Sequence, residues 1–169
     1  TNTTFAETMR RLDATVATVA IAATGVEYAT RIPLQAGDVV TNITFITGGT
    51  AAGTPTAGYA VLRSPTGAKL AQTADFGNTA RAANTAFTVA LTDEYLVTEP
   101  GLYYVGLSFT ASTVPTMHGK TFGNAVLAGN LGLGAEVLAV THGSSVGATA
   151  PDTIATPTTV ANLVYLAVT

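Results

Sequence analysis

The sequence predicts an all-β fold, a β-sandwich of the jelly-roll type that begins with a short N-terminal helix or arm. Stretches that favour strands are separated by turn residues about every 8–12 positions, a spacing typical of sandwiches. Apolar residues make up 47% of the 169 positions, but no apolar run approaches the roughly 20 residues of a membrane-spanning helix. No repeat of about 20–50 residues is visible, which argues against a solenoid or a propeller.

The N-terminal segment, residues 1–24, differs from the rest because its apolar residues follow a helical spacing. They are Phe5, Met9, Leu12, Val16 and Val19. Thr4 and Glu7 match a capping box, which predicts a helix start. The Thr, Val and Ala residues that follow favour a first strand at about Val16 to Ala23. The segment either binds another subunit, through Phe5, Met9 and Leu12, or packs against its own domain.

Residues 25–169 are predicted to form the sandwich domain. The first predicted features are an extended piece from Tyr28 to Pro33, a turn at Gly37 and Asp38, a strand through Val40 and Phe45, and a loop over 48–58. They are followed by a hairpin of 59–63 with 69–73, a loop over 74–84, and strands over 85–92 and 102–111. The Gly-rich region at about 115–157 is predicted to be a loop layer with two short strands, of which Glu136 to Val140 is the better defined. The apolar C-terminus predicts a last, buried strand.

The strand that starts at Leu102 has one strongly apolar face. Because side chains alternate along a strand, Tyr103, Val105, Leu107 and Phe109 should point into the core. The opposite face holds Leu102, Tyr104, Gly106 and Ser108, and its small residues leave room for another chain segment or a loop. Tyr104 is expected either at the surface, with its hydroxyl free for a partner, or capping the end of the sandwich.

No motif in the sequence predicts catalysis, and we expect a protein without catalytic, cofactor-binding or metal-binding residues. His118 and His142 stand beside glycines and are expected in exposed loops, and neither forms with Asp152 a recognisable metal-ligand spacing. Ser144 and Ser145 lie near His142 but lack a nucleophile motif. Asp93 and Glu94 are expected in a solvated turn.

Charge and cysteine content exclude further classes. The net charge is −3 and the seven Lys and Arg residues are scattered except at Arg10 and Arg11, which argues against nucleic-acid binding. Without cysteine the chain has no disulfide and no thiolate metal site. Only 10% of the residues are charged, so the surface should be neutral and rich in Thr, a composition that suits packing against other subunits.

Three stretches carry a resemblance to a known family: IPLQAGDVVTNI, TAAGTPTAGYAVL and GLYYVGL. Over roughly Ile32 to Thr116, the chain resembles a β-sandwich family of virion proteins from tailed bacteriophages of actinobacteria, which includes minor tail, head-fibre and capsid-decoration proteins. The resemblance implies a structural protein of the phage particle surface, assembled in the host cytoplasm. It further implies a homo-oligomer, with a trimer as our expectation, that binds the major capsid protein or another virion protein. The chain departs from the family at Gly58-Tyr59-Ala60, where bulkier aromatic residues are usual.

Two other functions compete with this one. A tail-associated receptor- or glycan-binding module would use Tyr59, Tyr103, Tyr104 and the loop Gly48 to Thr56. A cell-wall-degrading enzyme would need an acid–base or metal set that the sequence does not offer. The candidate partner contacts are Phe5, Met9, Leu12, Tyr59 and Tyr104.

Overall fold

The computed structural model describes residues 4–11, 17–21, 24–122 and 137–169, and it confirms the all-β fold. The strands are β1 (Ala6–Glu7), β2 (Ala17–Ala20), β3 (Glu27–Leu34), β4 (Val39–Ile46), β5 (Gly53–Arg63), β6 (Lys69–Gln72), β7 (Ala86–Leu96), β8 (Gly101–Thr113), β9 (Thr116–Thr121), β10 (Ala139–His142), β11 (Thr158–Thr159), β12 (Asn162–Val164) and β13 (Leu166–Val168). Within the described ranges, no helix has the length and apolar character needed to cross a membrane.

The strands form three antiparallel sheets, two of which face each other across the core. A four-stranded sheet has the order β1-β13-β4-β7, and a six-stranded sheet has the order β11-β10-β3-β8-β5-β6. The third sheet, β12-β9-β2, contains three strands. β12 pairs with β9 and β13 pairs with β4, so the C-terminal segment changes sheets at Tyr165. Two sheets joined by segments of this kind are the architecture of a sandwich.

The core forms where the inward faces of the two large sheets meet. Side-chain alternation along β8 places four buried residues there, as the sequence predicted: Tyr103, Val105, Leu107 and Phe109. From the other sheet Ile43 and Phe45 point inward. The Phe45 ring lies 5.6–5.9 Å from three further phenyl rings, those of Phe76, Phe87 and Phe109. Aromatic pairs at this separation add to the stability that burial alone supplies.

The predicted β5–β6 hairpin is confirmed, including its turn. The Gly67 amide donates to the Ser64 carbonyl at 2.9 Å. Gly67 has a φ of +90°, a left-handed conformation that glycine adopts without a steric penalty. The loop predicted over 48–58 is shorter than expected, because β5 begins at Gly53 and pairs with β8 over its whole length.

The N-terminal segment differs from the predicted helix. Ala6–Glu7 form a strand that pairs with β13, and the hydroxyl of Thr4 accepts a hydrogen bond from the Val39 amide at 2.9 Å instead of capping a helix. Pairing with the edge of the sheet satisfies the backbone N–H and C=O groups of this segment, so it forms a strand despite the helical spacing of its apolar residues. The predicted first strand is present as β2, whereas Leu12 and Val16 lie outside the described residues.

The Gly-rich region is only partly a loop layer. Thr116–Thr121 form β9, which pairs with both β2 and β12. The second strand of the region is Ala139–His142, while Glu136 lies outside the described residues. Residues 143–157, which we call the covering loop, contain no named strand and lie on the outer face of the six-stranded sheet.

Candidate functional site

The covering loop buries the outer face of the six-stranded sheet. Val146 and Ala150 of the loop pack against Tyr59 and Val61 of β5. Ile154 packs on a second apolar group, formed by Ala29, Tyr104 and Val140. A main-chain hydrogen bond also connects the loop to β6, because the Lys69 amide donates to the Asp152 carbonyl at 2.7 Å. Side chains on this face are therefore interior side chains.

Four polar side chains from three strands meet beneath the covering loop, and we call them the buried cluster: Glu27 of β3, Tyr59 and Arg63 of β5, and His142 of β10. In the sheet register Glu27 lies opposite both Ser108 and His142, and Ser108 lies opposite Tyr59. Glu27, Tyr59 and Arg63 have no solvent exposure, and His142 retains 6%. Antiparallel pairing thus brings together residues that are far apart in the sequence.

The carboxylate of Glu27 is the centre of the buried cluster and engages both of its oxygens. Arg63 donates from Nε to Oε1 and from Nη2 to Oε2, each at 2.7 Å. The Tyr59 hydroxyl donates to Oε2 at 2.7 Å, and His142 Nε2 lies 3.2 Å from the same oxygen. This two-point pairing is the strongest geometry available to an arginine and a carboxylate.

The remaining donors of Arg63 are also satisfied. Its Nη1 donates to the Gly67 carbonyl at 3.2 Å and to the Pro151 carbonyl at 2.9 Å. The second bond reaches the covering loop, so the guanidinium ties that loop to β3 and β5. A buried ion pair is stable only when its hydrogen bonds are complete, and this pair meets that condition.

Gly106 of β8 provides the space that the Glu27 side chain occupies. A Cβ atom at position 106 would lie 2.5 Å from Glu27 Oε1 and 2.8 Å from Val61 Cγ1, both too close for any side chain. The face of β8 that was predicted to be lined by small residues does accommodate other parts of the chain. They are the Glu27 carboxylate of β3 and the covering loop.

The electrostatics of the buried cluster favour an ionised glutamate. Burial opposes ionisation, but the hydrogen bonds and charges of Arg63 and His142 outweigh it and lower the pKa of Glu27 from 4.5 to about 2. Burial and the adjacent Glu27 carboxylate raise the pKa of Tyr59 far above its ordinary value, so its hydroxyl remains a donor. At neutral pH Glu27 is therefore ionised and Tyr59 is neutral.

This electrostatic arrangement predicts an acid-dependent loss of stability. An unfolded glutamate takes up its proton near pH 4.3, whereas folded Glu27 does so only near pH 2. Between these values the unfolded chain binds more protons, so the free energy of unfolding falls as the pH falls. In a ¹³C NMR titration the Glu27 carboxyl resonance should stay constant down to about pH 3. A midpoint near pH 4.3 would contradict the described hydrogen bonds.

The buried cluster contains the residue types of a hydrolytic site, but its geometry leaves no room for a substrate. Glu27 and Arg63 are fully enclosed, and each oxygen of the carboxylate already accepts hydrogen bonds. Nothing bound outside the protein can contact them without removal of the covering loop. The chemical role of the arrangement is to hold strands and loop together.

The structure corrects the position of two candidate contact residues, Tyr59 and Tyr104. Tyr59 belongs to the buried cluster. Tyr104 retains 7% exposure, and the Arg31 guanidinium lies 3.8 Å from the centroid of its ring. Tyr103 is buried too, and its hydroxyl donates to the Glu99 carbonyl at 2.8 Å. The covering loop and the core enclose all three rings, so none of them offers a surface for glycan stacking.

The candidate contacts in the N-terminal segment have three different outcomes. Phe5 is 55% exposed, and the Arg11 guanidinium lies 5.6 Å from its ring centroid. Met9 is partly buried against Tyr165 and Ala167. Leu12 lies outside the described residues. Of these three candidates, Phe5 alone is shown as an accessible apolar side chain.

The prediction of exposed loop histidines is wrong for both residues. His142 lies in β10 and contacts Glu27, and His118 lies in β9 and is half-buried. Asp152 is exposed and pairs with Lys69 at 3.0 Å. Ser144 and Ser145 are exposed in the covering loop, and Asp93 and Glu94 are exposed at the end of β7 rather than in a turn. No group of three or more histidine, aspartate or glutamate side chains is placed to hold a metal ion in the part of the chain that the structure describes.

The chain matches no protein-family model, no curated protein and no solved structure.

Proposed function

We propose that the chain is a non-enzymatic structural virion protein, a capsid decoration or fibre subunit that binds the phage head lattice. The resemblance over Ile32 to Thr116 supports the virion assignment. The observation that supports a docking role is the outer face of the four-stranded sheet. Where residues 42–46 of β4 pair with residues 86–90 of β7, that face carries no charged side chain, and we call it the uncharged face: Asn42, Thr44, Ile46, Ala86, Thr88 and Ala90.

The orientation of the uncharged face follows from strand alternation. Ile43 and Phe45 of β4 are buried in the core, and Phe87 and Val89 of β7 pack against it. The intervening residues therefore point outward, and the hydroxyls of Thr44 and Thr88 lie 2.8 Å apart across the two strands. Ala86, Thr88 and Ala90 are exposed. The six-stranded sheet, in contrast, has its outer face under the covering loop.

An uncharged face of this kind suits permanent packing against a lattice. Charged residues are depleted at the centres of protein interfaces, because an unpaired charge loses its hydration there. Threonine and alanine have little side-chain entropy to lose on binding. The core also fixes the position of the uncharged face, because Ile43 and Phe45, which alternate with its residues along β4, are buried.

A charge placed on the uncharged face tests the proposal. Thr88→Lys should weaken co-sedimentation with phage heads that lack this chain by about tenfold or more, because the ammonium group would be desolvated in the contact. Thr156→Lys, at an exposed position of the covering loop, is the matched control and should bind as the wild type does. Equal binding of both variants would exclude the uncharged face, and failure of the wild-type chain to bind would overturn the proposed function.

A further inference from the structure

Arg81, in the loop between β6 and β7, is a nearly buried cation held by aromatic rings. It retains 8% exposure. Its guanidinium carbon lies 5.1 Å from the ring centroid of Phe76 and 4.8 Å from that of Phe87. Both distances are within the range of cation–π attraction. Both rings also pack against Phe45 in the core, so the guanidinium rests on a fixed support.

Among the described residues, no carboxylate lies within ion-pair distance of Arg81. Its Nε is enclosed and has no hydrogen-bond partner. Arg63, which has no solvent exposure, has a carboxylate and two carbonyls as partners. Burial lowers the pKa of Arg81, in the direction expected for a desolvated cation. An interior charge without a counter-ion is costly, and such a group in a native protein calls for an explanation.

The shape of the site indicates what would complete it. Nε is enclosed without a partner, and neither terminal nitrogen of the guanidinium is among the enclosed unpartnered atoms, while the residue as a whole keeps 8% exposure. The planar edge of a guanidinium matches a carboxylate through two parallel hydrogen bonds. Since Arg81 is a single cation, a singly charged anion would neutralise it.

We propose that Arg81 is a binding site for a carboxylate group supplied from outside its own fold. The carboxylate belongs either to a small organic acid or to an acidic side chain of a second copy of this chain, which carries ten Asp and Glu residues. The inference is independent of the proposed virion function, because binding can be measured on the isolated protein. It assigns a specific recognition chemistry to the loop between β6 and β7.

NMR of the arginine side chains in ¹⁵N-labelled wild-type protein tests the site directly. Sodium acetate should shift the Arg81 Nε–Hε resonance in a saturable manner. Its apparent dissociation constant should be at least tenfold lower than that of sodium chloride at equal ionic strength. Arg63 is the matched internal control and should not shift, because its donors are already occupied. Arg81→Lys assigns the resonance. The proposal is overturned if Arg81 shifts no more than Arg63, or if chloride or inorganic phosphate binds as tightly as acetate.

Light scattering then distinguishes the two sources of the carboxylate. If a second copy supplies it, the wild-type mass exceeds that of one chain and falls when acetate is added, and Arg81→Gln has the lower mass without acetate. If a small acid is the ligand, neither acetate nor the substitution changes the mass, while acetate still shifts the resonance. A mass that falls equally in sodium chloride would exclude the second copy as the source.

Discussion

Replacement of Glu27 by glutamine is expected to lower the free energy of unfolding by about 3–5 kcal/mol. The substitution keeps the size of the side chain but removes the charge that compensates Arg63, which has no solvent exposure. It also replaces one carboxylate oxygen by an amide group, so one of the donors around Glu27 loses its acceptor. Urea unfolding at neutral pH, followed by circular dichroism, measures the change.

Two comparisons show whether the loss comes from the buried pair. Glu94→Gln removes a charge at an exposed position of β7 and should change the stability by less than about 0.5 kcal/mol. The double variant Glu27→Leu with Arg63→Met should be more stable than Glu27→Gln, because an apolar pair leaves no charge without a partner. A Glu27→Gln protein as stable as the Glu94→Gln protein would contradict the described cluster.

Leu107→Ala is expected to lower the free energy of unfolding by about 2–5 kcal/mol. Leu107 is fully buried in the core between the two large sheets, so truncation removes apolar contacts and leaves a cavity. Differential scanning calorimetry or urea unfolding measures the loss.

Thr113→Ala, at the exposed end of the same strand, is the control for the Leu107 substitution and should change the stability by less than about 0.5 kcal/mol. An unchanged free energy of unfolding for Leu107→Ala would contradict the described orientation of β8. The apolar face would then point away from the core.

The sequence predicted those parts of the fold that depend on local patterns. Alternation along β8 identified its core face, and the Ser-Pro-Thr-Gly turn identified the β5–β6 hairpin. Both signals come from neighbouring residues, which obey the same period as the finished sheet. The helical spacing of Phe5 and Met9 is a local signal as well, but the nearby Ala6–Glu7 backbone pairs with β13 at a distant point of the chain.

The buried cluster was missed because it depends on long-range contacts. Glu27 and His142 are paired by sheet register across more than half of the chain. Tyr59 and Arg63 point to the face opposite Ala60 and Leu62, which a single sheet would expose to solvent. Only the covering loop makes that face interior, and its Gly-rich sequence gave no sign of where it packs. The one available signal was charge, because Glu27 and Arg63 are charged residues within strands of a chain that has few charges.

The buried cluster and the proposed function are linked through the two outer faces of the sandwich. Arg63 holds the covering loop over the six-stranded sheet by its bond to the Pro151 carbonyl. The four-stranded sheet keeps an exposed face along β7, and this is the surface on which we place the lattice contact. Stability on one side and a free surface on the other follow from the same arrangement of strands.

The most direct test of the proposed function is the number of copies of this chain in each purified virion of a tailed phage whose genome carries its gene. Quantitative mass spectrometry against isotope-labelled peptides measures this number relative to the major capsid protein. A decoration or fibre subunit should be present in a fixed ratio to the capsid protein and should remain through density-gradient purification. Absence of the chain from purified particles would contradict the proposal.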